Sequence, residues 1–315
     1  MMNARTLLDR VEQYATSFKT DQSFKSPVFI LSPPRSGSTL LFETMFRFDE
    51  LLHFNHESDF IWWQHFPYDK MACPSDYIGE EYICPENIDL IRKYTYTSVI
   101  GKTIGEASHM DSNTFQYGRN KIRYLDKTIA NCFHLPFLKK AFPTAQFIFL
   151  VRDPRDNISS MLEGWPYIER FGKPQLTPLI QSIPNATITH WTYPAPPGWR
   201  TMVTRPLPEI CAWSWQKHVE HVLEFFRGKR RKGHILIRYE DLLESPVGIY
   251  TDLSKKLNLR LTEKILDYAK KPALSYTAVS RPERDKWRKK HYQEIMSVLP
   301  LIEGTALEIG YKVNL

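Results

Sequence analysis

Short apolar runs alternate along the chain with longer segments of helical period. Four runs have strand length: Val28–Leu31, Ile122–Leu125, Phe147–Val151 and Ile235–Ile237, with a weaker candidate near Tyr94–Ile100. The helical segments predict helices over Thr39–Phe46, Phe133–Ala141, Asp156–Met161, Pro208–Phe226 and Val247–Leu257, and a long one from about Asp285. Within Pro208–Phe226, residues Trp215, Val219, Val222 and Phe226 oppose Ile210, Trp213, Lys217, Glu220 and Glu224. That gives one apolar stripe and one wet face, as in a helix laid on a sheet. Strands alternating with helices in this way predict an α/β protein built on a parallel β-sheet flanked by helices.

Gly164–Pro208 breaks the pattern. It holds 9 of the 22 prolines, together with Trp165, Tyr167, Phe171, Trp191, Tyr193 and Trp199. Proline blocks regular helix and central strand. The segment is therefore expected to be a long, irregular, aromatic insertion on the acceptor side of a single domain spanning residues 1–315, of the kind that forms lids and binding loops.

Composition narrows the class. With 42% hydrophobic and 24% charged residues, the 315-residue chain fits neither disorder, collagen nor coiled coil. No apolar run approaches the ~18 residues of a membrane span. Met1–Lys25 lacks the apolar core of a secretory signal, so a cytoplasmic location is expected. Cys73, Cys84, Cys132 and Cys211 show no CxxC spacing and are expected to be buried free thiols rather than a zinc or disulfide framework. The net charge of +7 suits an anionic ligand or a nucleic acid equally well.

The densest chemistry lies between Val28 and Phe42. A buried strand enters a tight turn with Gly37, and a helix opens at Ser38 and Thr39. Backbone N–H groups at a helix start are unpaired and carry partial positive charge, so they bind phosphate or sulfate. Ser36, Ser38 and Thr39 add small donors, and Arg35 adds a rigid guanidinium fork. In the register of a nucleoside-triphosphate P-loop, GxxxxGK[ST], Ser32 takes the place of the first glycine and Ser38 that of the lysine. The residue that would reach β- and γ-phosphates is missing, which disfavours a triphosphate enzyme. Ligands of open parallel sheets bind beyond the strands' carboxyl ends, and basic residues recur there: Lys127 after Ile122–Leu125, then Arg152 and Arg155 after Phe147–Val151. Several on one rim suggest more than one anionic group. The histidine pairs His53/His56 and His218/His221 have no third ligand nearby, so no metal site is expected.

These residues resemble the sulfotransferase superfamily, whose donor is 3′-phosphoadenosine 5′-phosphosulfate (PAPS). Residues 34–39 resemble its 5′-phosphosulfate loop, and residues 149–160 its 3′-phosphate element, in which Arg152 and Ser160 would hold the 3′-phosphate. Residues 238–242 resemble a third motif, whose tyrosine, here Tyr239, lies beside the nucleotide. Ser280 and Arg281 occupy the place where relatives close a basic, hydroxyl-bearing segment over it. The arginine in the first loop and the stretch 126–131 look more like the tyrosylprotein sulfotransferase branch and its bacterial relatives than the cytosolic phenol and steroid enzymes. The latter place a catalytic histidine where this chain has Ile129. The resemblance implies a carboxylate base, Glu57, with His56 and His53 as competitors. It also implies Lys127 beside the oxygen that bridges sulfur and phosphorus, and no metal requirement.

The expected activity is transfer of a sulfuryl group from PAPS to an acceptor hydroxyl, leaving 3′-phosphoadenosine 5′-phosphate (PAP). The aromatic insertion favours a hydrophobic, aromatic, glycosidic or carrier-tethered acceptor. Two alternatives stand beside it. A P-loop-like small-molecule kinase would bind magnesium–ATP tightly. A nucleic-acid-binding protein using the basic runs 227–232 and 288–290 would show steeply salt-dependent affinity. No nucleic acid or membrane partner is expected of the leading reading, and the oligomeric state is left open.

Overall fold

In the computed structural model, which describes residues 24–66, 75–107, 122–171, 177–227, 233–272, 279 and 283–313, five parallel strands form one sheet. They are β1 (Val28–Leu31), β2 (Leu52–His53), β3 (Tyr124–Asp126), β4 (Gln146–Val151) and β5 (His234–Arg238), in the order β2-β3-β1-β4-β5. β1 aligns Ile30 with Ile148 of β4 and Phe29 with Asp126 of β3. The side-chain period of two explains the unbroken apolar strands. Phe29, Leu31, Phe147, Phe149 and Val151 enter one core, whereas Val28, Ile30, Ile148 and Leu150 enter the other.

The helices that frame the site are α1 (Ser38–Met45), α2 (Asp59–His65), α3 (Pro85–Ala107), α4 (Leu135–Ala141) and α5 (Pro154–Phe171). They are followed by α6 (Thr177–Gln181), α7 (Leu207–Phe226), α8 (Tyr239–Glu244), α9 (Pro246–Leu257), α10 (Glu263–Lys270), α11 (Trp287–Lys290) and α12 (Tyr292–Glu308). α1 buries Leu41, Phe42 and Met45 in one core, and α5 buries Ile158, Met161 and Trp165 in the other. The neighbouring strands β1 and β4 thus send their following helices to opposite faces of the sheet. A crevice opens between such diverging connections, which is where open α/β sheets hold ligands.

Four sequence expectations are corrected here. Tyr94–Ile100 is not a strand but part of α3. Buried positions there and just before it come in pairs about one turn apart, 91/92, 95/96 and 99/100, so helical burial overrides local β propensity. Ile122 makes only an isolated bridge to Phe24, and the strand begins at Tyr124. The helix expected to end at Met161 continues through Pro166 to Phe171. Burial of Met161, Leu162 and Trp165 in the core outweighs the helix-breaking tendency of Pro166. On α7, Trp215, Val219, Val222 and Phe226 are buried as expected, but so is Ile210, placed on the wet face by pattern alone.

The aromatic residues of the proline-rich stretch turn inward. Trp165, Trp191 and Trp199 are at most 2% exposed, and their rings pack in succession with centroids 5.5 Å apart. The expectation that this stretch favours a hydrophobic acceptor loses those three rings as contact surface, because the core already uses them. Among the described residues no helix is long and apolar enough to cross a membrane.

Candidate functional site

The turn after β1 is locked by its neighbours. Gly37 has φ +88° and is the N-cap of α1. A Cβ there would overlap the Tyr239 ring, so glycine is required by both its backbone and its neighbour. Arg35 also lies in the left-handed region, at φ +66°, a conformation that costs a non-glycine residue about 1–3 kcal/mol unless its surroundings fix it. They do. Asn157 of α5 donates from Nδ2 to the Pro34 carbonyl at 2.6 Å and accepts the Ser36 hydroxyl on Oδ1 at 2.9 Å. Arg152 donates from Nη1 to the Arg35 carbonyl at 3.2 Å.

The same contacts bring the expected anion-binding residues together. Arg152, almost buried at the end of β4, lies 4.9 Å above the Tyr239 ring. Arg35 Nε donates to Ser160 Oγ at 3.4 Å. Ser38 and Thr39, both buried, form the first turn of α1, the end of a helix whose N–H groups point outward along its axis. Arg35, Ser36, Gly37, Arg152, Ser160 and Tyr239 are therefore one neighbourhood at the ends of β1, β4 and β5. Two differences from the sequence reading stand out. The Ser36 hydroxyl is turned inward to Asn157. Arg155 is spent in a bidentate pair with Asp153, with bonds of 3.0 and 2.6 Å, and packs over Trp287.

Ser280 and Arg281 lie outside the described residues. The chain just beyond them is tied to α5, the helix that carries Ser160. Asp156 accepts the backbone N–H groups of Asp285 at 2.9 Å and Trp287 at 3.2 Å. Burial raises the Asp156 pKa, while Arg152 and those two N–H groups oppose the shift. Glu163 accepts Lys286 at 3.0 Å and Lys290 at 2.5 Å, and the Ser159 hydroxyl meets His291 Nδ1 at 2.8 Å. Lys289 pairs with Glu283 and Arg288 with Asp285, so every basic residue of the run 288–290 has an acidic partner.

A second cluster sits at the ends of β2 and β3. Lys127, 4% exposed in its side chain, makes an ion pair with Glu57 at 2.6 Å. The other Glu57 oxygen takes only a long contact, 3.5 Å, from the Ile129 N–H. Buried Asp126 anchors the arrangement by accepting Ser58 Oγ at 2.9 Å, Thr128 Oγ1 at 3.0 Å and Asn131 Nδ2 at 2.6 Å. Ser58 N–H donates to Thr128 Oγ1 at 2.6 Å, which fixes the turn carrying Glu57. Burial raises the Asp126 pKa and the three donors restrain it. Asp59, at the start of α2, is raised well above the usual aspartate range, first by burial and then by the negative charges of Glu57, Asp76 and Asp126.

The histidines divide by environment. His56 is exposed, with Nδ1 donating to the Glu57 carbonyl at 2.7 Å, and His53 stacks on Phe46 at 4.7 Å. His218 is buried against Phe133 and its pKa is pushed down to about 3 by burial, the behaviour of a neutral core residue. No group of three or more His, Cys, Asp or Glu arranged to hold a metal ion occurs among the described residues. Cys132 and Cys211 are buried free thiols, Cys84 is a half-buried one, and Cys73 lies outside the described residues. Burial pushes the Cys132 thiol up to about 12.

Sequence reasoning missed Asn157, Ser58 and Asp126, whose roles depend on contacts between strands. Asn157 and Asp126 each lie a few residues beyond or at a strand end within the two motifs, which is the one hint the sequence offers.

Residues 27–173 match the model of the Sulfotransferase family, a stretch just under half the chain that contains the Glu57–Lys127 cluster and all of the first neighbourhood except Tyr239. The fold resembles that of the sulfotransferase domain from the curacin biosynthetic pathway, with 18% identity, a TM-score of 0.52, and coverage of 92% of this chain and 99% of that one. It also resembles the sulfotransferase STF9 from Mycobacterium avium, with 12% identity, a TM-score of 0.52, and coverage of 98% and 82%. No curated protein sequence matches the chain.

Proposed function

We propose, from the premise that residues 27–173 are sulfotransferase-family sequence on a sulfotransferase fold, that the protein transfers a sulfuryl group from PAPS to an acceptor hydroxyl. One observation carries this reading: Arg152 donates to the Arg35 carbonyl while Arg35 donates to Ser160, so two guanidinium groups from separate strand ends share one crevice. A nucleotide with phosphate at both 3′ and 5′ ends presents the charges that such a pair neutralises.

Arg35, the first-turn N–H groups at Ser38 and Thr39, and the turn at Gly37 hold the 5′ end of the donor. Arg152 and Ser160 hold the 3′-phosphate. Glu57 is the base: it takes the acceptor's proton as the acceptor oxygen bonds to sulfur. The bond from sulfur to the bridging oxygen breaks, and its electron pair stays on the phosphate of PAP. Lys127 stabilises that developing charge, the kind of fixed electrostatic contribution that dominates many enzymic transfers. Its ion pair also aims the Glu57 carboxylate and leaves Oε2 the less engaged oxygen. His56 is the competing base. In-line transfer of this kind depends chiefly on positioning and charge. Of the branches, the tyrosylprotein and bacterial one suits the carboxylate base, and a cytoplasmic location suits the reading.

The direct test incubates the enzyme with isotopically labelled PAPS and pooled phenolic, steroidal, glycosidic and carrier-bound alcohols, and detects products by mass. A sulfated product that forms without added metal is expected. Transfer of phosphate from ATP instead would overturn the reading.

A further inference from the structure

Two residues outside the motif stretches named above, Gly164 and Tyr193, lie against Arg35. Ser160 and Gly164 stand one turn apart on α5 and so share a face. Arg35 lies along that face. Its Nε donates to Ser160 Oγ at 3.4 Å, and a Cβ built on Gly164 would come within 3.4 Å of Nε and 3.5 Å of Cδ. The same added Cβ would collide with the Tyr193 hydroxyl. Tyr193 is nearly buried; its hydroxyl donates to the Met161 carbonyl at 3.2 Å, and its ring stands edge-on to Trp165 at 5.4 Å. Trp165 in turn packs on Trp191, and Trp191 on Trp199. The Tyr193 hydroxyl is thus held by its bond to Met161, and its ring by a row of packed aromatic side chains. Arg35 is close enough to favour its ionisation, against the stronger opposing effect of burial.

A glycine inside a helix is unfavourable relative to alanine. Here it leaves the space in which the arginine stem and the tyrosine oxygen meet. We propose that Gly164 and Tyr193 are positioning residues for Arg35: the bare backbone at 164 makes a slot along α5, and the Tyr193 hydroxyl closes its far wall. The proline-rich segment then contributes to the donor side of the site through Tyr193. The inference rests on the proposed role of Arg35 at the 5′ end of the donor.

Calorimetric titration with PAP and with adenosine 3′-phosphate, which lacks the 5′-phosphate, tests it. The wild type should prefer PAP. Gly164→Ala should weaken PAP by ~10-fold or more, as for a displaced charge-assisted hydrogen bond, while adenosine 3′-phosphate changes by less than ~2-fold. Tyr193→Phe removes the oxygen that the new methyl group would strike. The double variant should therefore bind PAP better than Gly164→Ala alone, a rescue that general loosening of the helix would not produce. An unchanged preference for PAP in Gly164→Ala overturns the inference, as does a double variant no better than the single. If Gly164→Ala does not fold, Tyr193→Phe decides, with a preference reduced by ~3-fold expected and an unchanged one overturning. A wild type that binds the two nucleotides equally would overturn the donor reading of Arg35, and this inference with it. A wild type that prefers PAP while the variants behave normally would overturn the inference alone.

Discussion

The two clusters at the sheet's carboxyl edge are built differently. On the side proposed to hold the donor, Asn157 and Arg152 fix the backbone of the 34–37 turn from behind, and Gly37 within it leaves room for the Tyr239 ring. On the side proposed to hold the base, Asp126 and its three donors fix the turn, but the Glu57 carboxylate projects from it, held by the Lys127 ion pair, and is 32% exposed. A site that must recognise a constant donor can be rigid. A base that must meet a proton on an incoming acceptor needs access. The contrast separates binding from turnover.

Glu57→Gln gives the largest expected effect: turnover should fall by ~10²–10⁴-fold, the usual contribution of a general base, with PAP affinity changed by less than ~3-fold. Retained turnover would move the base elsewhere, first to His56. Arg152→Ala comes next. It should cost ~10–100-fold in affinity for PAP, as for loss of charge-assisted hydrogen bonds, with little loss for an analogue that lacks the 3′-phosphate. Equal losses for both ligands would show that Arg152 only supports the turn.

Asp59→Asn gives the smallest effect and probes the base side through stability. Because the folded-state pKa of Asp59 is raised, the native protein holds that proton more tightly than the unfolded chain. Its contribution is fully present below the ordinary aspartate pKa and is lost as pH rises through the raised one. The asparagine variant lacks this penalty. Relative to wild type, its melting temperature should therefore improve from pH 4 to pH 7, by about 2–4 °C for each ~1 kcal/mol. A difference that is constant with pH would mean that Asp59 is not strained by its neighbours.

The donor side was legible in the sequence because its parts are consecutive. A strand, a glycine turn and a hydroxyl-rich helix start sit within Val28–Phe42, and Arg152 and Ser160 are eight residues apart on one strand-to-helix connection. The backing residues were not legible, since Asn157 meets Pro34 and Ser36 across more than a hundred residues. β2 escaped notice because a two-residue strand has no period to detect. The weak strand over Tyr94–Ile100 misled for the opposite reason: its apolar residues satisfy both periods, and only packing chooses the helix. Glu57 is a candidate through resemblance alone. The Lys127 ion pair that aims it, and the Asp126 network beneath, required the fold.

The shared crevice of Arg35 and Arg152 is tested most directly by thermal denaturation with PAP and with magnesium–ATP at equal concentrations. The account predicts a clear rise in melting temperature with PAP and a much smaller one with magnesium–ATP, because at equal concentration the ligand that binds the folded state more tightly stabilises it more, by RT ln(1 + L/Kd) at free ligand concentration L. Equal shifts, or a larger one with magnesium–ATP, would contradict it.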